Sequence, residues 1–286
     1  MKNHFLFVLV AGVSLAFSSD KAAYRIYNVD GKPVKYEKMV QSASKADVVL
    51  FGELHNNPIC HWLQLELTRD LFDISGEKLV LGAEMFEADN QEMIDELMAG
   101  KIRMKDFDNE ARLWPNYKTD YKPLLQFALE NKLKFVAANV PRRYAAMVSR
   151  KGFEQLDSLS ANAKKWISPL PVPYDAELKG YKEMVTMMGP GHENINLPKA
   201  QALKDATMAW FILKNLPDGG QFLHFNGTYH SDNYEGIVWY LNHWRPGLKI
   251  LTIGSASVAE PEALPDSLAG KADYLLTIHE RMTTTH

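Results

Sequence analysis

Four apolar runs along the chain each end abruptly in polar side chains; they cover residues 47–55, 78–84, 134–139 and 221–230. A continuous apolar run of about five residues is typical of a strand buried on both faces of a parallel sheet. In such a sheet, the polar groups at the carboxyl ends of neighbouring strands converge on one crevice, where ligands bind. The pattern therefore predicts one site that brings together five side chains: Glu53, His55, Glu84, Asn139 and His230.

The segments between these runs have the length and periodicity of helices, which predicts an α/β fold with a mostly parallel central sheet flanked by helices. Helices are expected at about residues 36–46, 58–75, 121–131, 141–151 and 198–215, and further strands at 248–253 and 274–278. Asn57 is the expected N-cap of the second helix, with Pro58 at its first position. Residues 89–92 resemble a capping box for a helix to about Met98, and residues 24–35 predict a small hairpin.

The segment from about residue 160 to residue 198 departs from this alternation, because prolines, glycines and methionines interrupt short helical pieces. It is too short to have a hydrophobic core of its own. We therefore expect a helical insertion that packs over the carboxyl ends of the strands as a lid or ligand wall. Residues 19–286 are then a single domain.

The first eighteen residues have the features of a secretory signal peptide. Lys2 precedes an apolar stretch at residues 5–17, and Ala16 and Ser18 are small residues at the expected cleavage positions. The stretch is shorter than the roughly 20 residues that span a bilayer; an uncleaved anchor is the alternative. The chain has one cysteine, Cys60, and none follows the apolar stretch. We expect an exported protein, periplasmic or secreted, without a lipid anchor.

Charge adds one exclusion. The chain has 32 basic and 35 acidic residues, a formal net charge of −3 and no basic run, so nucleic acid is not an expected partner. A glycine-rich nucleotide loop and a nucleophile elbow are both absent from the sequence, which argues against a nucleotide cofactor and a serine-hydrolase mechanism.

The polar strand ends have the chemistry of a metal site. Glu53 and His55 share one side of an extended segment, and Glu84 and His230 follow other strands. Carboxylate and imidazole suit Mn, Zn or Fe. With such a metal, Glu53 or Glu84 is a candidate general base of a hydrolase or peptidase. The alternative is structural: Glu53 caps a helix, His55 is a hydrogen-bonded histidine, and Glu84 pairs with an arginine.

Six further residues are candidates for holding a cofactor. Arg142 is a cation for carboxylates, unless it belongs to a solvated helix face. Asp205 either approaches the crevice or forms a salt bridge with a lysine. Phenol, thioether and imidazole are side chains that ligate haem iron, although a methionine cluster is also typical of a deformable apolar surface. The candidate ligands of haem iron lie in the insertion: Tyr174, Tyr181, Met188 and His192.

Five motifs together resemble the ChaN-like haem-binding uptake proteins, whose superfamily includes the Tiki metalloproteases and the erythromycin esterases. They lie at residues 51–55, 82–86, 137–142, 200–209 and 226–230. The resemblance implies an α/β fold and an exported protein of bacterial haem or iron uptake, with haem as its ligand.

An outer-membrane haem receptor and a second copy of the chain closing over the flat haem are the partners expected from it. Superfamily analogy also implies a metal in the crevice. Known members include lipoproteins, and this chain departs from that pattern. The resemblance favours haem binding over metal-dependent hydrolysis.

Overall fold

A computed structural model describes residues 21–187 and 196–286. The described residues form eight strands: β1 (Tyr24–Asn28), β2 (Pro33–Val34), β3 (Val48–Glu53), β4 (Leu79–Glu87), β5 (Phe135–Asn139), β6 (Gln221–Gly227), β7 (Ile250–Val258) and β8 (Tyr274–His279). The predicted signal peptide at residues 1–18 lies outside them, as do Met188 and His192.

Ten α-helices connect these strands within the described residues. They are α1 (Tyr36–Ala43), α2 (Pro58–Ser75), α3 (Gln91–Met98), α4 (Met104–Glu110), α5 (Tyr117–Asp120), α6 (Lys122–Glu130), α7 (Arg142–Lys151), α8 (Lys179–Met187), α9 (Leu197–Asn215) and α10 (Ile237–Trp244). Within the described residues, every helix is too short or too polar to span a lipid bilayer.

All eight strands belong to one sheet, in the order β2-β1-β8-β7-β3-β6-β4-β5. The six strands from β8 to β5 are parallel, and the β1–β2 hairpin adds an antiparallel edge. The α/β prediction with a mostly parallel sheet is therefore confirmed. Pro33 lies at the outer edge, where its missing N–H leaves no ladder hydrogen bond unmade.

Helices cover both faces of the parallel strands, which explains why these strands are apolar without alternation. Val49 and Phe51 of β3 point into a core formed with α1 to α6. Val48 and Leu50 point the other way, into a core formed with α7, α9 and α10. All six residues of β3 are buried. Because apolar side chains cover both faces of these central strands, a ligand can reach polar side chains of this part of the sheet at the strand ends.

Local signals at helix starts were right at α2 and wrong at α3. The Asn57 side chain accepts hydrogen bonds from the N–H groups of Ile59 and Cys60, at 3.0 and 3.4 Å. At α3, the expected capping box does not form, because no side chain caps the helix. Asp89 instead forms ion pairs with Arg112 and Arg143.

The second core strand is longer than its apolar run. We expected it to end at Glu84, but β4 continues to Glu87, with a shift of register between Ala83 and Glu87. Alternation along β4 breaks after Glu84, because Met85 and Phe86, which are adjacent, both belong to the core formed with α1 to α6. The described part of the insertion begins against the α9–α10 core, and α8 lies beside the segment after β6, where Glu235 accepts hydrogen bonds from the N–H groups of Lys179 and Gly180.

Candidate functional site

An open crevice of about 720 Å³ lies at the carboxyl ends of β4, β5 and β6. His55, Glu84, Asn139 and His230 all line it. These side chains come from positions far apart in the sequence, and the parallel arrangement of the strands brings them together. Glu53 does not line the crevice and lies directly beneath His55.

Glu53 holds the imidazole of His55 in place. Its carboxylate is 1% exposed, and Oε1 lies 2.9 Å from Nδ1 of His55. The Tyr121 hydroxyl donates to the same oxygen at 2.7 Å, and Nε2 of Gln64 donates to Oε2 at 2.5 Å. With both carboxylate oxygens used, Glu53 is fixed, and it fixes the orientation of His55 in turn.

Gly227 lies against the Nε2 side of the His55 ring. A Cβ atom at this glycine would lie 2.7 Å from Nε2 of His55, closer than any ordinary contact. Burial lowers the pKa of His55, but the hydrogen bond to Glu53 and the charge of Glu84 more than offset it, so the pKa is raised. His55 is also in edge-to-face contact with Trp114, with ring centroids 4.9 Å apart.

His230 lies between two buried carboxylates. Its Nε2 is 3.1 Å from Oε1 of Glu84, and its Nδ1 is 2.5 Å from Oδ1 of Asp205. Burial lowers the pKa of His230, but the charges of Glu84 and Asp205 raise it to about 10. His230 is therefore a protonated imidazolium at neutral pH, and both of its nitrogens are engaged.

The two carboxylates beside His230 respond differently to burial. For Glu84, burial raises the pKa, but the charge of His230 outweighs it and the pKa is well below its usual value; Gly227 N–H also donates to Oε2 of Glu84 at 2.7 Å. For Asp205, burial dominates and the pKa is raised. The Tyr181 hydroxyl donates to Oδ2 of Asp205 at 2.8 Å. Asp205 therefore contacts the site through its hydrogen bond to His230 and does not line the crevice itself.

The remaining candidates divide between the crevice and its surroundings. Arg142 lines the crevice. Tyr181 is buried against Asp205, and Tyr174 stacks on Tyr181 with ring centroids 5.7 Å apart; neither lines the crevice. Cys60 is fully buried, and burial raises the pKa of its thiol to about 12.

The described residues do not form a metal site of ordinary composition. Among them, no group of three or more His, Cys, Asp or Glu side chains is arranged to hold a metal ion. The reason is visible in the contacts, because Glu53 with His55, and Glu84 with His230 and Asp205, satisfy one another as hydrogen-bonded pairs.

Several residues of the site carried no strong signal in the sequence. Gln64 and Tyr121 bind Glu53 from α2 and from the residue before α6. They do not follow an apolar run, so only the packing of helices against the sheet reveals them. Tyr229 lines the crevice and is 37% exposed; it lies within the motif at residues 226–230.

The fold and the site define an α/β protein with a ligand crevice at the carboxyl ends of parallel strands. A family model described as "Haem-binding uptake, Tiki superfamily, ChaN" matches residues 39–241. The chain belongs to this family, as its motifs indicated.

Comparison with known proteins agrees with this assignment at the level of the fold. The structure of ChaN of Campylobacter jejuni, described as binding haem cofacially, matches with a TM-score of 0.67 and 20% identity, over 88% of this chain and 96% of that one. An erythromycin esterase matches with a TM-score of 0.47 and 10% identity, over 92% of this chain and 83% of that one. The similarity to the erythromycin esterase is too low to support a functional argument.

One curated protein, RETICULATA-RELATED 5 of the Arabidopsis thaliana chloroplast, is 24% identical over 216 residues. The alignment covers 68% of this chain and 29% of the plant protein. The chain therefore corresponds to less than a third of that relative.

Proposed function

We propose that this protein binds haem in the crevice and acts, after export, in bacterial haem or iron uptake. Family membership supports the ligand, and the lining of the crevice supports the place. The lining combines apolar and aromatic side chains with cations and amides. The apolar and aromatic members are Leu113, Trp114, Pro115, Val140 and Tyr229. A flat ligand that is apolar at its centre and charged at one edge fits such a mixed lining.

Two crevice residues have side chains able to ligate haem iron. His55 retains Nε2, since only its Nδ1 contacts Glu53, and its side chain is 41% exposed. Tyr229 presents an exposed phenol, whose hydroxyl also donates to the Gly180 carbonyl. His230 is a poor candidate because both of its nitrogens are engaged. Bound haem would supply a redox-active iron with an imidazole or phenolate ligand. Asp205, Tyr174 and Tyr181 would support this site from behind.

The observation that carries the proposal is the coincidence of this crevice with the motifs that define the family. A haemin titration of the purified protein without residues 1–18 tests it. We expect a Soret shift at micromolar haemin, and a changed spectrum in His55→Ala or Tyr229→Phe, whichever residue ligates the iron. His243→Ala and Tyr234→Phe are matched controls, since His243 and Tyr234 are exposed residues that do not line the crevice. Absence of any Soret shift in the wild-type protein would refute haem binding.

Export, a haem receptor of the outer membrane and a homodimer that closes over the ligand are further parts of this proposal. The open form of the crevice supports a second covering surface. Light scattering coupled to size exclusion, with and without haemin, measures whether haem changes the oligomeric state. A monomer under both conditions would remove the dimer from the proposal.

Hydrolysis is the second candidate function, because His55 is an imidazole oriented by a buried carboxylate, the arrangement of a general base. Glu53 and Glu84 would be its catalytic carboxylates. Hydrolysis of a panel of ester and peptide substrates should then be lost in His55→Ala and Glu84→Gln. For a metal-dependent form, the sequence predicts Glu53, His55, Glu84 and His230 as ligands of Mn, Zn or Fe. Because these groups are hydrogen-bonded to one another, we expect the activity to be unchanged by EDTA, and loss of activity in EDTA would contradict this expectation.

A further inference from the structure

The charges that line the crevice are unevenly paired. Glu84 is paired with His230, and Arg112 is paired with Glu87 and Asp89. Arg142 and Lys204 also line the crevice. Within the described part of the chain, no carboxylate oxygen lies within 4.0 Å of either cation.

The positive and negative charges also lie at different places. The buried end holds Glu84 and Asp205 on either side of His230. Arg142 lies at the start of α7, where the partial positive charge of the helix dipole adds to its own. An anionic group of a ligand is therefore attracted to Arg142 and Lys204.

A buried amide side chain also lines the crevice. Asn139 ends β5, three residues before Arg142, and it is 7% exposed and lines the crevice. Its Oδ1 has no hydrogen-bond partner among the described residues. That oxygen is a hydrogen-bond acceptor and therefore does not bind a carboxylate, which also only accepts. The amide NH₂ group is a donor suited to a carboxylate oxygen.

We propose that Arg142, Lys204 and Asn139 form a subsite for the carboxylate groups of a porphyrin. The inference rests on the proposed haem binding and adds which part of the crevice meets the carboxylate edge of the macrocycle: the end of β5 and the facing residues of α7 and α9. Two cations and one amide donor match a ligand with two carboxylates on one edge. Arginine also offers the paired N–H groups that bind a carboxylate with two hydrogen bonds.

The test compares metal-free protoporphyrin IX with its dimethyl ester, because neither ligand contains iron and only the first has free carboxylates. Binding is followed by quenching of tryptophan fluorescence. We expect the wild-type protein to bind the free acid about tenfold more tightly than the ester. Arg142→Gln/Lys204→Gln should lose most of that preference and bind the ester as the wild type does.

Matched controls come from the same two helices. Arg150→Gln on α7 and Lys214→Gln on α9 each remove an exposed cation that does not line the crevice, and should keep the preference. Arg142→Lys/Lys204→Arg keeps both charges and should restore it. Higher ionic strength should weaken binding of the free acid by the wild type more than by the double variant, since salt screens exposed charges.

The outcomes separate this inference from the proposed function. Equal affinity of the wild type for the acid and the ester would overturn the carboxylate subsite and leave porphyrin binding intact. A preference that survives in the double variant, with its folding verified by circular dichroism, would also overturn it. Failure of the wild type to bind either porphyrin would also overturn the subsite, whereas haem binding itself is decided by the haemin titration, in which the iron is present.

Discussion

At the scale of single residues, His230 shows how burial and charge act together. Burial alone would favour the neutral imidazole, yet two carboxylates within hydrogen-bond distance raise its pKa to about 10. An imidazolium between Glu84 and Asp205 neutralises one of two buried negative charges. Removing one partner of such a group leaves an uncompensated buried charge, which costs more than the contact itself contributes.

Replacing His230 should therefore destabilise the fold. We expect His230→Gln to lower the free energy of unfolding at pH 7 by about 3–5 kcal/mol, measured by urea denaturation. His243→Gln, at an exposed histidine on α10, is the control and should change stability little. A loss no larger than that of the control would mean that the imidazolium does not hold the two carboxylates together.

The raised pKa of His230 also predicts a pH dependence with a definite sign. Below about pH 6.5 the imidazole is protonated in both the folded and the unfolded chain, so the full stabilisation is present. Between about 6.5 and 10 the unfolded chain loses this proton while the folded chain keeps it, so stability falls as pH rises. The free energy of unfolding should decrease from pH 7 to pH 9 in the wild type. An equal decrease in His230→Gln would assign the effect to another group.

At the residue scale, the sequence predicted the members of the site better than their roles. His55, Glu84, Asn139 and His230 follow apolar runs, and all four line one crevice. The sequence did not determine whether the Glu84 carboxylate contacts a metal, an arginine or a histidine. The end of a strand gives the position of a residue's backbone but not the groups that pack against its side chain. Glu84 meets His230, which follows β6 and is also bonded by Asp205 of α9.

At the scale of elements, helix boundaries depend on competition for each polar side chain. The side chain of Asn57 is uncharged, so it does not form ion pairs, and it accepts hydrogen bonds from the free N–H groups at the start of α2. Asp89 has two arginines within reach, Arg112 and Arg143, and bonds to them instead of capping α3. A local motif therefore predicts a cap reliably only where distant charges leave the side chain free.

The cap of α2 supplies a prediction at this scale. Asn57→Ala should lower the free energy of unfolding by about 1 kcal/mol, because two N–H groups lose their acceptor. Asn57→Asp keeps the acceptor and should retain most of the stability. Thermal and urea unfolding measure both variants. Equal destabilisation by alanine and aspartate would indicate that Asn57 acts through packing and not through its cap.

At the scale of the whole molecule, one sheet separates two hydrophobic cores. Strands β3, β6 and β4 lie at its centre and are covered on both faces. Opening one of them breaks hydrogen bonds to two neighbours and exposes both cores. The short strand β2 pairs with a single neighbour, β1, at the edge.

Hydrogen exchange should follow this arrangement. We expect the amides of β3 and β6 to exchange slowest, at rates near those of global unfolding, and those of β2 fastest among the strands. Mass-spectrometric hydrogen exchange over a series of denaturant concentrations measures the order. Protection of β3 no greater than that of β2 would contradict a shared central sheet as the stabilising unit.

The sequence by itself determined the α/β class, the order of the strands and the helices α1, α2, α3, α6, α7 and α9, but not α4, α5 and α10. It also determined the chemistry gathered at the strand ends, because burial on two faces imposes continuous apolar runs with polar ends. Only the tertiary structure decided which groups meet. It placed Asp205 behind His230, Tyr121 beneath Glu53, and Arg142 and Lys204 on one crevice without carboxylate partners among the described residues. Such contacts join residues distant along the chain, and their energies depend on separations and burial that arise when helices pack against the sheet.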